Sequence, residues 1–84
     1  MIEIRNITKI SVSCPAQWVG EAGEHGGIYI RYRWGALEVY HSSETRDASA
    51  GTLIFDRQIG SKFDGEMDTQ AMKELTTSVC RFIE

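Results

Sequence analysis

Hydrophobic and polar residues alternate over the first dozen positions, and this spacing predicts a β-strand at the start of the chain. The hydrophobic residues share one parity: Ile2, Ile4, Ile10 and Val12. A period of two is typical of a strand with one buried face. Because Asn6 and Thr8 interrupt the pattern, we expect either one long bent strand or two short ones, ending where Cys14 precedes Pro15.

Segment 28–41 consists of two alternating runs that meet at Trp34 and Gly35, and it predicts a β-hairpin. With these two residues as the loop, the cross-strand pairs match in character: Arg33 with Ala36, Tyr32 with Leu37, Arg31 with Glu38, Ile30 with Val39 and Tyr29 with Tyr40. A slip by one residue would turn every side chain to the other face, so the match supports this register. A tight primed turn needs positive φ at Trp34, which a bulky residue resists, whereas a four-residue loop over 33–36 keeps the same pairing.

Shorter patterns predict two more strands, over residues 16–20 and 52–59. The glycine-rich stretch 20–27 predicts a mobile loop between strands. Residues 42–50 are small and polar and predict a surface loop with no apolar face to bury, and residues 61–67 predict a turn.

The end of the chain carries a helical spacing of hydrophobic residues: Met72, Leu75, Val79 and Phe82 or Ile83. Asp68 is the predicted N-cap, with Met67 and Met72 placed as a hydrophobic staple. Arg81 is expected to complement the negative end of this helix. Strands first and a helix last predict an α+β fold, with an antiparallel sheet of four or five strands and one C-terminal helix packed on one face.

Eighty-four residues form one domain with one core, so we predict that residues 1–84 fold as a single unit. Hydrophobic residues make up 42% and charged residues 25%, as in ordinary folded proteins. The N-terminus leads into no apolar block of signal-peptide length, and no run approaches the roughly 20 apolar residues of a membrane span. We therefore predict a cytoplasmic protein with no membrane contact, whose two cysteines are reduced.

Four side chains supply the number of ligands that a structural zinc requires: Cys14, His25, His41 and Cys80. Their spacing lacks the close pairs that arrange such a site, so we predict no metal and no cofactor. The alternating acids Asp64, Glu66 and Asp68 resemble part of a calcium loop, but a helix start explains them better. Because no nucleophile signature is present, we predict no enzymatic activity; a small enzyme or metal protein that uses His25 or His41 is the alternative.

One side of the predicted hairpin collects aromatic and arginine residues, and this side is the candidate partner-binding surface: Tyr29, Arg31, Arg33, Trp34 and Tyr40. These residue types are enriched at binding hot spots. Single-stranded nucleic acid is an alternative ligand, because bases stack on aromatic rings while arginine meets phosphate. The net charge of −3 and the pI of about 5.3 favour a protein partner instead.

Residues 14–18 together with residues 29–37 resemble a pattern found in small bacterial and phage proteins to which no activity is assigned. This resemblance implies a bacterial or mobile-element origin. Small domains from such sources often bind and block a host protein or a defence complex such as a CRISPR effector. By this analogy the protein is predicted to be a non-enzymatic interaction module that uses the outer side of the hairpin, with inhibition of the bound protein as one form of that function.

Overall fold

A computed structural model describes residues 1–11, 15–61 and 63–83. The elements, in chain order, are β1 (Ile2–Ser11), β2 (Ala16–Ala22), β3 (Gly26–Arg33), β4 (Ala36–Ser42), β5 (Thr52–Gln58), α1 (Thr69–Leu75) and β6 (Cys80–Ile83). The strands form one sheet in the order β5-β4-β3-β2-β1-β6. The first five strands are antiparallel to their neighbours, whereas β6 runs parallel to β1. The α+β class is confirmed, but the sheet is mixed and has six strands rather than four or five.

The sixth strand replaces the second half of the predicted helix. The helix begins as predicted, with the Asp68 carboxylate accepting a hydrogen bond from the Ala71 amide at 2.7 Å, but it ends at Leu75. Residues 76–78 are Thr-Thr-Ser, which are weak helix formers, and residues 80–83 also fit a period of two. Pairing with β1 satisfies the backbone groups that face it and buries Cys80. Arg81 consequently forms an ion pair with Glu3, at 3.6 Å, instead of complementing a helix end.

The first strand is single, with two irregularities where its pairing with β2 shifts. Asn6, with φ of 55°, lies at the first shift, and Ile10 lies between Lys9 and Ser11 at the second. The first shift reverses the parity expected from the sequence, because Lys9 then lies opposite the buried Trp18, and Ile10 is 53% exposed. Lys9 turns toward the core side, where its Nζ donates to the Met67 carbonyl at 2.7 Å. The predicted strand end at Cys14 lies outside the described residues.

Fully buried side chains cover one side of the sheet, which we name the inner face: Ile4, Trp18, Ile28, Ile30, Leu37 and Val39. Met72 of α1 is buried in the same cluster. The indole nitrogen of Trp18 also donates to the Thr69 hydroxyl at 2.9 Å, which ties the start of the helix to the sheet. The helix therefore lies on the inner face and leaves the opposite side, the outer face, free of it.

The glycine-rich stretch is shorter as a loop than predicted, because β2 continues to Ala22 and β3 begins at Gly26. The side chain of Arg46 closes the remaining turn by donating to the carbonyl oxygens of Gly23, Glu24 and Gly26 at 2.6–2.9 Å. This contact also orders the following polar loop, in which Ala48 is only 2% exposed. The expectation that loop 42–50 buries no apolar residue was wrong, because the hydrogen bonds of Arg46 hold the loop against the sheet.

Among the described residues, no helix is long and apolar enough to cross a membrane.

Candidate interaction surface

The hairpin formed by β3 and β4 has the register expected from its sequence: Arg31 lies opposite Glu38, and Tyr29 lies opposite Tyr40. Its loop consists of Trp34 and Gly35 alone, with φ of 57° and 74°. Positive φ at both positions defines the primed turn whose twist matches the strands. The hairpin therefore uses the two-residue loop, although this conformation costs a residue other than glycine about 1–2 kcal/mol.

Contacts with the last residue of β5 and with the segment after it hold this turn in place. The Gly35 amide donates to the Asp64 carbonyl at 2.8 Å, and the Gln58 side chain donates to the Trp34 carbonyl at 3.0 Å. The Ile59 amide donates in turn to the Gly35 carbonyl at 2.7 Å. Three backbone groups of the turn thus have fixed partners, which offsets the unfavourable conformation of Trp34.

Four side chains in the middle of the outer face form what we name the central cluster: Tyr29, Arg31, Glu38 and Tyr40. One Glu38 oxygen accepts from both Nε and Nη2 of Arg31, at 3.0 and 2.6 Å. Nη2 also donates to the Tyr40 hydroxyl at 3.3 Å. The rings of Tyr29 and Tyr40 lie 6.0 Å apart at a tilt of 40°, a favourable arrangement for an aromatic pair.

Electrostatics hold Arg31 in this cluster. Partial burial by itself lowers the pKa of Arg31, but the hydrogen bond and the charge of Glu38 outweigh that effect and raise it. Only about a fifth of each of the two side chains is exposed. The guanidinium is consequently a fixed part of the surface, with much of its donor capacity used within the protein.

Arg33 and Trp34 form a second group at the end of the hairpin, which we name the tip pair. The Arg33 guanidinium carbon lies 4.0 Å from the centre of the indole ring, and Trp34 is 63% exposed. Within the described residues no carboxylate is paired with Arg33. Its Nε is buried with no hydrogen-bond partner, an arrangement that costs about 1–3 kcal/mol. The tip pair therefore carries an uncompensated positive charge beside an exposed aromatic ring.

Neighbouring strands extend the outer face beyond the hairpin. Val19 and Gln17 of β2 lie opposite Tyr29 and Arg31, and Leu53 of β5 lies opposite Tyr40. Leu53 is 43% exposed. These residues were not predicted as part of the surface, because alternation along a strand shows which side chains share a face but not which strand lies alongside.

The loop after β4 covers the outer face at the end of the hairpin that is remote from Trp34 and Gly35. The backbone of Arg46 lies so close to Gly27 that a Cβ at Gly27 would collide with it. Gly27 has the outer-face parity of Tyr29, two residues along β3. The surface open to a partner thus runs from Tyr29 toward the tip pair. It contains all five residues predicted from the sequence, divided between the central cluster and the tip pair.

Two of the residues considered for metal or enzymatic chemistry, His25 and Cys80, lie apart from this surface, whereas His41 follows Tyr40 in β4 and lies opposite Ile28 of the inner face. His25 is 80% exposed, in the turn between β2 and β3, and its Nε2 is 3.9 Å from a Glu24 oxygen. Cys80 is buried in β6, and burial raises the pKa of its thiol to about 11. No group of three potential metal ligands occurs among the residues that the structure covers, and Cys14 lies outside them.

No protein-family model, curated protein or solved structure gives a significant match to this chain.

Proposed function

We propose that this domain is a non-enzymatic interaction module of bacterial or phage origin that binds a host protein or a defence complex such as a CRISPR effector, with inhibition of that partner as one consequence of binding. Binding uses the outer face of hairpin 28–41. The observation that carries the proposal is the tip pair, in which an exposed tryptophan lies beside an arginine that has no acidic partner in the described part of the chain. The helix packs on the opposite side of the sheet and does not cover them.

The central cluster supports the proposal because it is organised before any partner arrives. The hydrogen bonds from Arg31 to Glu38 and Tyr40 restrict the conformation of these side chains in the free protein. Ordering a long side chain at an interface otherwise costs about 0.5–1.5 kcal/mol. A partner that packs on this cluster consequently loses less conformational entropy than on a mobile surface.

Charge favours a protein over a nucleic acid as this partner. Arg31 is neutralised by Glu38, so Arg33 is the only arginine on the hairpin that is available to a phosphate. The chain as a whole carries −3, which repels a polyanion. A single acidic side chain on a protein surface suits one free guanidinium flanked by an aromatic ring better than a nucleic-acid backbone does.

The test compares the proteins that immobilised variants retain from a bacterial cell extract. Arg33→Ala removes the charge of the tip pair, and Trp34→Ala removes its ring. Arg81→Ala is the matched control, since Arg81 is 67% exposed and its ion pair with Glu3 contributes little to stability. We expect one protein that is retained by the wild type and by the control but reduced at least about tenfold by either tip variant.

Retention of that protein should change little with ionic strength, because one ion pair at Arg33 depends far less on salt than a row of phosphate contacts does. Equal retention by the Arg33→Ala and Arg81→Ala variants would reject the outer face as the binding surface. Retention of nucleic acid instead, with a steep loss as salt increases, would favour the single-stranded nucleic-acid alternative.

A further inference from the structure

Strand β5 is an edge of the sheet, and alternate residues along it direct their backbone groups away from β4. Arg33 and Ala36 flank the two-residue loop, so their backbone groups hydrogen-bond to each other. Because backbone groups alternate in direction along β4, the N–H and C=O of Leu37 point toward β5. Leu37 lies opposite Arg57, which therefore bonds to β4. Asp56 and Gln58, on either side of Arg57, point their N–H and C=O groups outward.

No other part of the described chain occupies this edge. The backbone hydrogen bonds outside the regular elements involve none of residues 52–58, and the side-chain hydrogen bonds reach no backbone group there. Five of the seven side chains of β5 are exposed. The other edge of the sheet, β6, is only four residues long. An exposed strand of seven residues without proline is a surface that another strand can extend.

A polypeptide in extended conformation is the ligand whose chemistry matches this edge. Outward N–H and C=O groups recur at every second residue of a strand, a spacing that another extended backbone reproduces. Nucleic acids and lipids do not present donors and acceptors at that repeat. The side-chain pattern then decides which polypeptide fits.

A second copy of this chain fits β5 poorly. Directly opposite residues of an antiparallel pair share a face, so a two-fold axis on Asp56 places two aspartates opposite each other. Shifting the register to pair Asp56 with Gln58 places two copies of Arg57 opposite each other. The extra residue in β5 opposite Val39 and Tyr40, Ile54, interrupts regular pairing closer to Thr52. Self-pairing therefore brings like charges together in both registers that use the outward groups of Asp56.

We propose that β5 binds an extended segment of another protein as an added antiparallel strand, with a basic side chain opposite Asp56 and an acidic side chain opposite Arg57. Asp56 already lies beside Glu38, which adds negative charge on the outer face. Arg57 has no ion-pair partner among the described residues. This edge goes beyond the hairpin surface, because binding here needs neither the central cluster nor the tip pair.

The test uses a synthetic peptide as the probe, acetyl-Thr-Thr-Glu-Lys-Val-Thr-amide, which in antiparallel register places Lys opposite Asp56 and Glu opposite Arg57. It is titrated to millimolar concentration into the isotope-labelled protein. We expect the amide resonances of Asp56 and Gln58 to shift strongly, because their N–H groups point outward, and that of Arg57 to shift less. A peptide with Glu and Lys exchanged should bind roughly tenfold more weakly.

Two controls separate strand addition from a general charge attraction. Methylation of the backbone nitrogen of the peptide Lys removes its hydrogen bond to the Asp56 carbonyl. Methylation of the backbone nitrogen of the peptide Val, which points away from β5, is the matched control. Only the first should abolish binding. The double variant Asp56→Lys with Arg57→Glu should reverse the preference, so that the exchanged peptide binds more tightly.

Unchanged amide resonances of Asp56 and Gln58, or equal tolerance of the two methylated peptides, would overturn the proposal. So would amide shifts at β5 that grow with protein concentration in the absence of peptide, which would identify a second copy as the occupant. Arg33→Ala should leave peptide binding within twofold of the wild type. Failure at the edge and failure of the hairpin surface are thus distinguishable.

Discussion

The two faces of strands β3 and β4 are built from alternate residues of the same short segment, yet they differ in almost every physical property. The inner-face residues Ile30, Leu37 and Val39 are fully buried and make only apolar contacts with the core. On the outer face, Arg31 and Glu38 keep about a fifth of their side chains exposed and interact through hydrogen bonds and charge. Stability should therefore depend chiefly on the inner face, and recognition on the outer one.

This division has a physical cause in the helix. Only one face of the sheet is covered by α1, so only one face must be apolar to exclude water. The uncovered face is free to carry groups that would be costly to bury without partners. Substitutions on the two faces should consequently have separable effects on stability and on binding.

Leu37→Ala tests the inner face. Leu37 is fully buried, and deleting a buried leucine side chain lowers the free energy of unfolding by about 2–5 kcal/mol, through lost burial and the cavity that remains. Urea denaturation followed by circular dichroism measures the change. A loss below about 1 kcal/mol would mean that the inner face contributes less to stability than its burial indicates.

Arg31→Glu tests the central cluster. It replaces the guanidinium that contacts Glu38 at 2.6 Å with a second carboxylate, and we expect a loss of about 1–2 kcal/mol in the free energy of unfolding. The double variant Arg31→Glu with Glu38→Arg restores opposite charges and should recover more than half of that loss. If the double variant is as unstable as the single one, the pair does not act through its charges.

Trp34→Asn, compared with Trp34→Ala, isolates the cost of the turn conformation at the tip. Both substitutions remove the stacking with Arg33, but asparagine tolerates positive φ better than alanine does. We expect the asparagine variant to be more stable by about 1 kcal/mol in thermal or urea unfolding. Equal stability would show that the contacts from Gln58 and Asp64 set the turn regardless of the residue.

The thiol of Cys80 gives an effect on stability that is absent at neutral pH. Burial raises its pKa to about 11, so above the ordinary thiol pKa the unfolded chain loses a proton that the folded chain retains. The contribution of the protonated thiol to the free energy of unfolding is thus fully present below about pH 9 and is lost as the pH rises toward 11. Urea unfolding at pH 7 and pH 10 should show a smaller decline for Cys80→Ala than for the wild type, and an equal decline would contradict the assignment.

Local pairs were the most predictable part of this protein. The register of the hairpin could be predicted because its two strands are close in sequence and a shift by one residue would have buried Arg31 or exposed Ile30. The five residues of the candidate surface follow from that register alone. Val19 and Leu53 could not be placed beside them from the sequence. Their strands, β2 and β5, pair with the hairpin in registers that the local pattern does not specify.

Alternation and turn residues in the sequence alone therefore determined the hairpin, its two faces and the start of the helix at Asp68. Only the tertiary structure decided that residues 80–83 form a strand rather than more helix, because their pattern fits both and the free edge of β1 supplies the deciding hydrogen bonds. The order of the loop around Arg46 was decided in the same way, by carbonyl groups about twenty residues earlier in the chain. A short segment takes the conformation that satisfies its backbone, and distant parts of the chain supply those partners.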